Sequence, residues 1–240
     1  MMKLFYNLQR GVGLLVFCTI LLSACVNHIS EEEEDSVNNG DIPLKFTADI
    51  HEATYTRVAG NGFEENDEVG VFALVGSSTM KEERYADNLR FFRTSEKVFE
   101  SSEPIYYPDD EVTLRLISYY PYQEEGVNMG ESTMSVAVET DQNLSAGYFC
   151  SDFLVASQNL QSAPKGAIAL HYDHKFFKLK IALVGKEGEE LQGILDADPK
   201  LSVCGFYTKA IYDFQKEIYS AFSNEKSITP AGKWEIQGDR

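Results

Sequence analysis

The chain has 240 residues, 43% of them hydrophobic and 12% aromatic, and a formal net charge of −17. That apolar content is enough for the core of one large or two small domains. The acidity excludes nucleic acid as a partner, because phosphate binding needs a basic surface, and it keeps an exposed protein soluble without dictating a fold.

The first ten residues hold Lys3 and Arg10 and no acid, and residues 11–22 are apolar. That run is too short for a membrane-spanning helix and has the length of a signal-peptide core. It ends in Leu22-Ser23-Ala24-Cys25, which matches the lipobox of bacterial lipoproteins at every position. Residues 1–24 are therefore read as a lipoprotein signal peptide cut between Ala24 and Cys25. The Cys25 thiol then takes up the lipid, and three acyl chains exceed the two signals needed for stable anchoring. The alternative is a soluble secreted protein cleaved near Ala24. Loss of Lys3 and Arg10 with the leader takes the charge to −19.

Residues 25–41 are acidic and poor in apolar side chains, the composition of a solvated tether. Glu31 to Asp35 also resemble the surface-export signal of lipoproteins from Gram-negative anaerobes of the Bacteroides type.

Beyond residue 41 the apolar residues recur with period two, the spacing of strands with one buried face. Ile42, Leu44, Phe46 and Ala48 make the first strand, and Val69, Val71 and Ala73 share a face of the second. Residues 77–90 read as a polar loop with a helical turn at most. Short strands follow between Phe91 and Phe99 and around Ile105 to Tyr107, with Pro108 as a stop. The run VTLRLISYY sets Val112, Leu114, Leu116 and Ser118 on one face and ends at Pro121, and Met134, Val136 and Val138 alternate in the next strand. SDFLVA, residues 151–156, is nearly continuous in apolar character, the pattern of a strand covered on both sides. Ile168, Leu170 and Tyr172 then lead into Phe177, Leu179, Ile181 and Leu183, whose opposite face carries Lys178 and Lys180, as in a hairpin or one long bent strand facing the same core.

Many short strands with turn signals between them predict an all-β fold, an antiparallel β-sandwich over residues 42–184. Residues 185–199 read as a linker, and residues 200–240 as a short or truncated second β domain. Of four cysteines, Cys18 leaves with the leader and Cys25 becomes a thioether. Cys150 and Cys204 could pair in an oxidising compartment, but their apolar, strand-like contexts favour two buried thiols. His171 and His174 fall on opposite faces of a strand, so no metal site or other cofactor is expected.

Several local patterns, taken in order, resemble one family. Thr56-Arg57-Val58 and the F-x(3)-D-x-V-G-V-F-A run from Phe63 to Ala73 are similar to the TRA and F..GD.IGVFA opening of bacterial fimbrillin-like proteins. Pro104 to Pro108 resembles their IYWP element, and Ser118 to Tyr122 their AYYPY element. Asp141-Gln142, Ser151 to Leu154 and His174 to Ile181 follow in the same order. The resemblance covers residues 42–184. It implies a lipid-anchored outer-membrane or surface protein of two transthyretin-like sandwiches that serves as stalk, anchor or tip of adhesive fimbriae. It further implies assembly in which a protease cuts after an Arg near the first strand, that strand leaves, and a neighbouring subunit's strand fills the slot. Arg57, followed by Val58, stands at that position; the alternative is an ordinary surface charge. Asn66-Asp67 replaces the family's Gly-Asp, Tyr107 replaces its Trp, and the C-terminal region is short for a strand donor.

Asp109, Asp110 and Glu111 beside Tyr106 and Tyr107 could grip a sugar or calcium or could be the solvated face of a turn, and Tyr119, Tyr120 and Tyr122 around Pro121 could be a binding patch or a packed strand end. No nucleophile elbow, phosphate loop or zinc spacing is present, so no catalytic residue and no enzyme is expected. Two functions follow: a fimbrial subunit, anchor or accessory protein whose partners are other subunits added by β-strand, or a monomeric surface lipoprotein that binds a glycan or host ligand.

Overall fold

The computed structural model describes residues 42–51, 62–108, 112–186, 188 and 190–236. Ala24, Cys25, the run Glu31 to Asp35, Arg57, Val58 and residues 109–111 lie outside the described residues. The described residues are all-β with little helix and belong to one compact unit, Asn39–Arg240. Their strands are β1 (Phe46–Ile50), β2 (Glu68–Val75), β3 (Ala86–Arg93), β4 (Phe99–Glu100), β5 (Leu114–Tyr120), β6 (Thr133–Ala137), β7 (Leu154–Leu160), β8 (Ile168–His174), β9 (Tyr207–Asp213) and β10 (Ile218–Glu225). Short helices occupy Ser145–Phe149 and Leu191–Asp196.

Seven strands close into a barrel in the order β1-β4-β3-β2-β5-β7-β8, and β10-β9-β6 form a second sheet. The expected antiparallel pattern is corrected at one seam: β1 and β8 run parallel over five residue pairs, and this pairing closes the barrel. Inside it lie Phe46, Val69, Val71, Phe91, Phe99, Leu116, Leu154 and Tyr172. The second sheet packs on the outer side of β2, β5 and β7, so Phe72, Leu74, Ile117, Tyr119 and Val155 meet Met134, Val136, Ala210 and Tyr212 in a second core. That wall is buried on both faces, which is why EVGVFALV is almost continuously apolar, as a strand without a solvent face must be. β8 instead alternates, with Ile168, Leu170 and Tyr172 inward and Ala169, His171 and Asp173 outward.

Close packing in the wall depends on Gly70. A Cβ there would lie 2.2 Å from the Tyr119 ring, its cross-strand partner. Arg84 locks the adjoining loops. Its side chain is fully buried and donates to the carbonyls of Met80 (2.9 Å), Val127 (2.8 Å), Asn128 (2.9 Å) and Glu131 (2.9 Å), pairs with Asp87, and lies 5.2 Å from the centre of the Phe72 ring.

Four further expectations are corrected. The polar segment 77–90 already contains the start of β3 at Ala86, whose charged residues point away from the barrel core. Phe177 to Leu183 do not continue β8: the chain bends at Lys175 and Phe176 and runs on without a strand partner among the described residues. β9 does not stand apart behind a linker, because it pairs with β6 along five residues and puts Ala210, Tyr212 and Phe214 into the core shared with Phe72 and Phe153. Cys150 and Cys204 are exposed free thiols rather than buried ones. Cys150 sits in the turn that ends a one-turn helix, and the Cys204 sulfur lies 3.2 Å from the Ser227 hydroxyl at the rim of the second sheet.

Candidate functional site

Two features of the fold present strand chemistry to the outside, and both sit where the closed sheet could be opened or extended. The first is β1. It is short, and of its five residues only Phe46 is fully buried. Phe46 stacks on Phe99 with ring centres 5.0 Å apart and packs against Phe91 at 5.1 Å, while Leu44 just ahead is held by its N–H donating to the Ile105 carbonyl at 2.8 Å. Toward β4 the ladder is a single residue pair, Phe46 with Phe99; toward β8 it is five pairs.

Outside the seam the contacts are polar and exposed. Lys45 donates to Glu100 at 2.7 Å, His51 Nδ1 lies 2.9 Å from the Asp173 carboxylate, and the His51 and His171 rings stack at 5.5 Å. Exposed ion pairs contribute at most about 1 kcal/mol each. The hold on β1 therefore resides in the Phe46 and Leu44 sockets and the backbone ladder. Removing the strand would bare Phe91 and Phe99 and unpair both β4 and β8, which is the acceptor geometry for an incoming strand.

The second feature is the segment after β8. Residues 177–185 run without helix, turn or bend, and among the described residues none of the N–H groups of 176–185 donates to a backbone carbonyl. Phe177 (75% exposed), Leu179, Leu183 and Val184 stand in solvent. Across from them lie Phe206, Tyr207 and Phe222, and the two sides bound an open concavity of about 3160 Å³. Aromatic contacts link it to the interior: Phe176 stacks on Tyr219 at 5.8 Å, and Phe153 meets Tyr212 at 5.1 Å.

The other residues singled out in the sequence divide as follows. Tyr107 is buried, its hydroxyl donating to the Val112 carbonyl at 3.2 Å, while Tyr106 is exposed. Tyr119 is packed in the second core, its hydroxyl donating to Asn88 Oδ1 at 2.7 Å, and burial pushes its pKa up to about 12. Tyr120 and Tyr122 are partly buried beside it, so the three tyrosines form a packed strand end. Among the described residues there is no cluster of three or more His, Cys, Asp or Glu that could hold a metal. That 177–184 has no strand partner among the described residues is not foreseen from the sequence, although the lysine and apolar alternation there is visible.

The fimbrillin-like family profile matches residues 56–240. A Bacteroides uniformis protein named "Putative fimbrium subunit Fim1C" is 24% identical over 209 residues, spanning 82% of this chain; the chain spans 64% of that relative's length. Two solved structures share the fold. One is a "putative cell adhesion protein" from Bacteroides uniformis ATCC 8492, with 19% identity, TM-score 0.57, and coverage of 78% of this chain and 68% of that one. The other, with the same description, is from Bacteroides ovatus ATCC 8483, with 14% identity, TM-score 0.54, and coverage of 82% and 74%.

Proposed function

The chain belongs to the fimbrillin-like family, and from that membership we propose that it is a lipid-anchored fimbrial subunit, anchor or accessory protein at the cell surface. Its work is structural: adhesion and pilus assembly with other fimbrial subunits. The name of its Bacteroides uniformis relative, a fimbrium subunit, supports this role. The anchor is the lipid on Cys25, released from the leader at Ala24, and it holds the mature protein at the outer membrane. The two packed sheets serve as the transthyretin-like sandwich of the family.

Assembly proceeds by strand exchange. The observation that carries this reading is the construction of β1, which closes the barrel with one pair to β4 and a parallel ladder to β8, and in which Phe46, behind Leu44, is fully buried while Ala48 and Ile50 are only partly buried against the same core. Cleavage between Arg57 and Val58 separates β1 from the rest of the chain. The strand then leaves a slot lined by Phe91 and Phe99, and a strand from another subunit satisfies both the sockets and the unpaired edges.

Mass spectrometry of the mature N-terminus tests this, on material sheared from intact cells and on the membrane fraction left behind. Sheared protein beginning at Val58, with lipidated Cys25 retained in the membrane, is the expected result. If only lipidated Cys25 is found and nothing shears off, strand exchange at β1 is wrong for this chain and an anchor or solitary surface binder remains.

A further inference from the structure

The parallel seam brings together two histidines that the sequence keeps far apart. Asp49 lies opposite His171 in the ladder and Ile50 opposite Tyr172, so His51, whose N–H donates to the Tyr172 carbonyl at 2.8 Å, falls level with Asp173. Residues two apart on a strand share a face, and the outward face here carries a square: Asp49 and His51 from one side of the seam, His171 and Asp173 from the other. The His51 and His171 rings take diagonal corners and lie parallel, with 3° between their planes and 5.5 Å between their centres. Spacing along one strand sets His171 against His174, on opposite faces of β8. The seam supplies His51 instead, a partner that no local spacing records.

Each ring turns its Nδ1 toward a carboxylate. For His51 the Asp173 oxygen is 2.9 Å away, and for His171 the Asp49 oxygen is 4.0 Å away. An ionised carboxylate only accepts, so Nδ1 of His51 carries the hydrogen and Nε2 of the neutral ring keeps its lone pair. Metal-binding imidazoles are held in this way, because a carboxylate behind one nitrogen fixes the tautomer and raises the basicity of the other. Asp173 is steadied from its second oxygen by Lys175 at 3.7 Å, whose charge is shared with Glu217 at 3.7 Å. Both imidazoles are more than half exposed, so an ion reaches them from solvent. Two metal–nitrogen bonds of about 2.0–2.1 Å hold their nitrogens at most about 4 Å apart. Exposed rings centred 5.5 Å apart reach that separation by side-chain rotation alone.

We propose that His51 and His171 bind one divalent transition-metal ion through their two imidazoles, with Asp173 and Asp49 behind the rings and water completing the coordination. Imidazole nitrogens select nickel, copper or zinc, whereas magnesium and calcium take oxygen ligands. Among the described residues no three His, Cys, Asp or Glu are set to ligate together, so the site rests on the two rings. One ring follows the end of β1 and the other belongs to β8. The ion therefore ties the seam that closes the barrel, and it finds both ligands only when that seam is formed.

The test is a calorimetric titration of the full chain with nickel chloride, after alkylation of the exposed thiols of Cys150 and Cys204 so that they do not compete. One nickel equivalent is expected that disappears in His51→Ala and in His171→Ala, each checked for folding by circular dichroism, and magnesium chloride should not replace it. His174→Gln should keep it, since that ring faces Asp152. Asp173→Ala should weaken it about tenfold, and Asp173→Asn, which still accepts from Nδ1, should restore part of the loss. At free nickel 100 times the dissociation constant, the ratio of folded to unfolded chain in urea should rise about 100-fold. Hydrogen exchange should slow at Phe46–Ile50 and Ile168–His174, and in neither single-histidine variant. An unchanged nickel stoichiometry in either histidine variant, displacement by magnesium, or binding that leaves exchange along the seam unaltered would each overturn the proposal. None of these results bears on processing at Arg57, which the N-terminal masses decide separately.

Discussion

Every strand of the closed sheet has a hydrogen-bonded neighbour on each side, whereas residues 177–185 have no partner strand among the described residues. Both regions are written in the same alternating code. Leu114, Leu116 and Ser118 in β5 are fully buried, while Phe177, Leu179 and Leu183 in the arm are exposed. Period two therefore specifies which side chains share a face, and a partner strand decides whether that face is a core or an exposed surface.

One substitution made in both regions separates them most widely. Phe72 is wholly buried between the two sheets, in ring contact with Tyr119 at 5.8 Å and Phe214 at 5.9 Å. Phe72→Ala should cost about 3–5 kcal/mol of unfolding free energy. Phe177→Ala should stay within about 0.5 kcal/mol, as for a surface residue. Urea melts of the two variants side by side measure both, and equal losses would mean that the arm is packed in solution.

Next in size is Arg84→Met. The substitution fills similar volume but leaves the carbonyls of Met80, Val127, Asn128 and Glu131 without the guanidinium that now satisfies them. Buried acceptors left unpaired cost about 1–3 kcal/mol each, reduced where water can enter. A loss of about 3 kcal/mol is expected on that basis, with faster hydrogen exchange confined to residues 127–131. An effect spread evenly over the barrel would show that Arg84 does not act through those loops.

Gly70→Ala comes third. The Tyr119 ring lies where the new methyl must go, so the ring has to shift within a wall packed on both faces. Overpacking of this kind costs about 1–3 kcal/mol. The double variant Gly70→Ala with Tyr119→Leu should recover part of that loss, because the relief is specific to the ring. Gly166, with nothing within 4 Å of its added Cβ, is the control and should tolerate alanine.

These contrasts also mark how far the sequence is legible. Val69, Val71 and Ala73 read as an inward face, and all three line the barrel. The continuous run VGVFALV carries the further information that Phe72 and Leu74 are covered too, but only the nearby second sheet explains by what. β3 is hard to see because Asp87, Asn88 and Arg90 interrupt its apolar content, Asn88 has positive φ (50°), and the register with β2 breaks between Val71 and Ala73. The parallel seam of β1 and β8 joins residues about 122 apart, as at Asp49 and His171, and no local pattern records such a pairing. At 177–184 the alternation is legible and the absence of a partner strand among the described residues is not, because the same code serves a covered face and an open one. Of the candidate processing residues, Cys25 and Arg57 are found by motif and position, and both lie outside the described residues.

The smallest expected effect sits at the junction of the two regions. His174 ends β8, and its Nδ1 lies 2.7 Å from the Asp152 carboxylate just before β7. That hydrogen bond raises the imidazole pKa above 6.5; partial burial and the nearby Lys178 oppose the rise, and the charges of Asp152 and Asp173 assist it. A raised folded-state pKa means that protonation favours the folded state, so the stabilisation is fully present below pH 6.5, the unfolded value, and is lost as the pH rises through the folded pKa. The pair is partly exposed, so its contribution is at most about 1 kcal/mol. The urea midpoint of the wild type should exceed that of His174→Gln at about pH 5.5 and match it at about pH 9, with Asp152→Asn removing the difference at both. Lys178→Glu supplies the link to the arm: exchanging a repelling charge for an attracting one should carry the stabilised range to higher pH. If Lys178→Glu leaves that range where it was, the arm does not lie against the end of β8 in solution, and the closed sheet and the arm are electrostatically uncoupled.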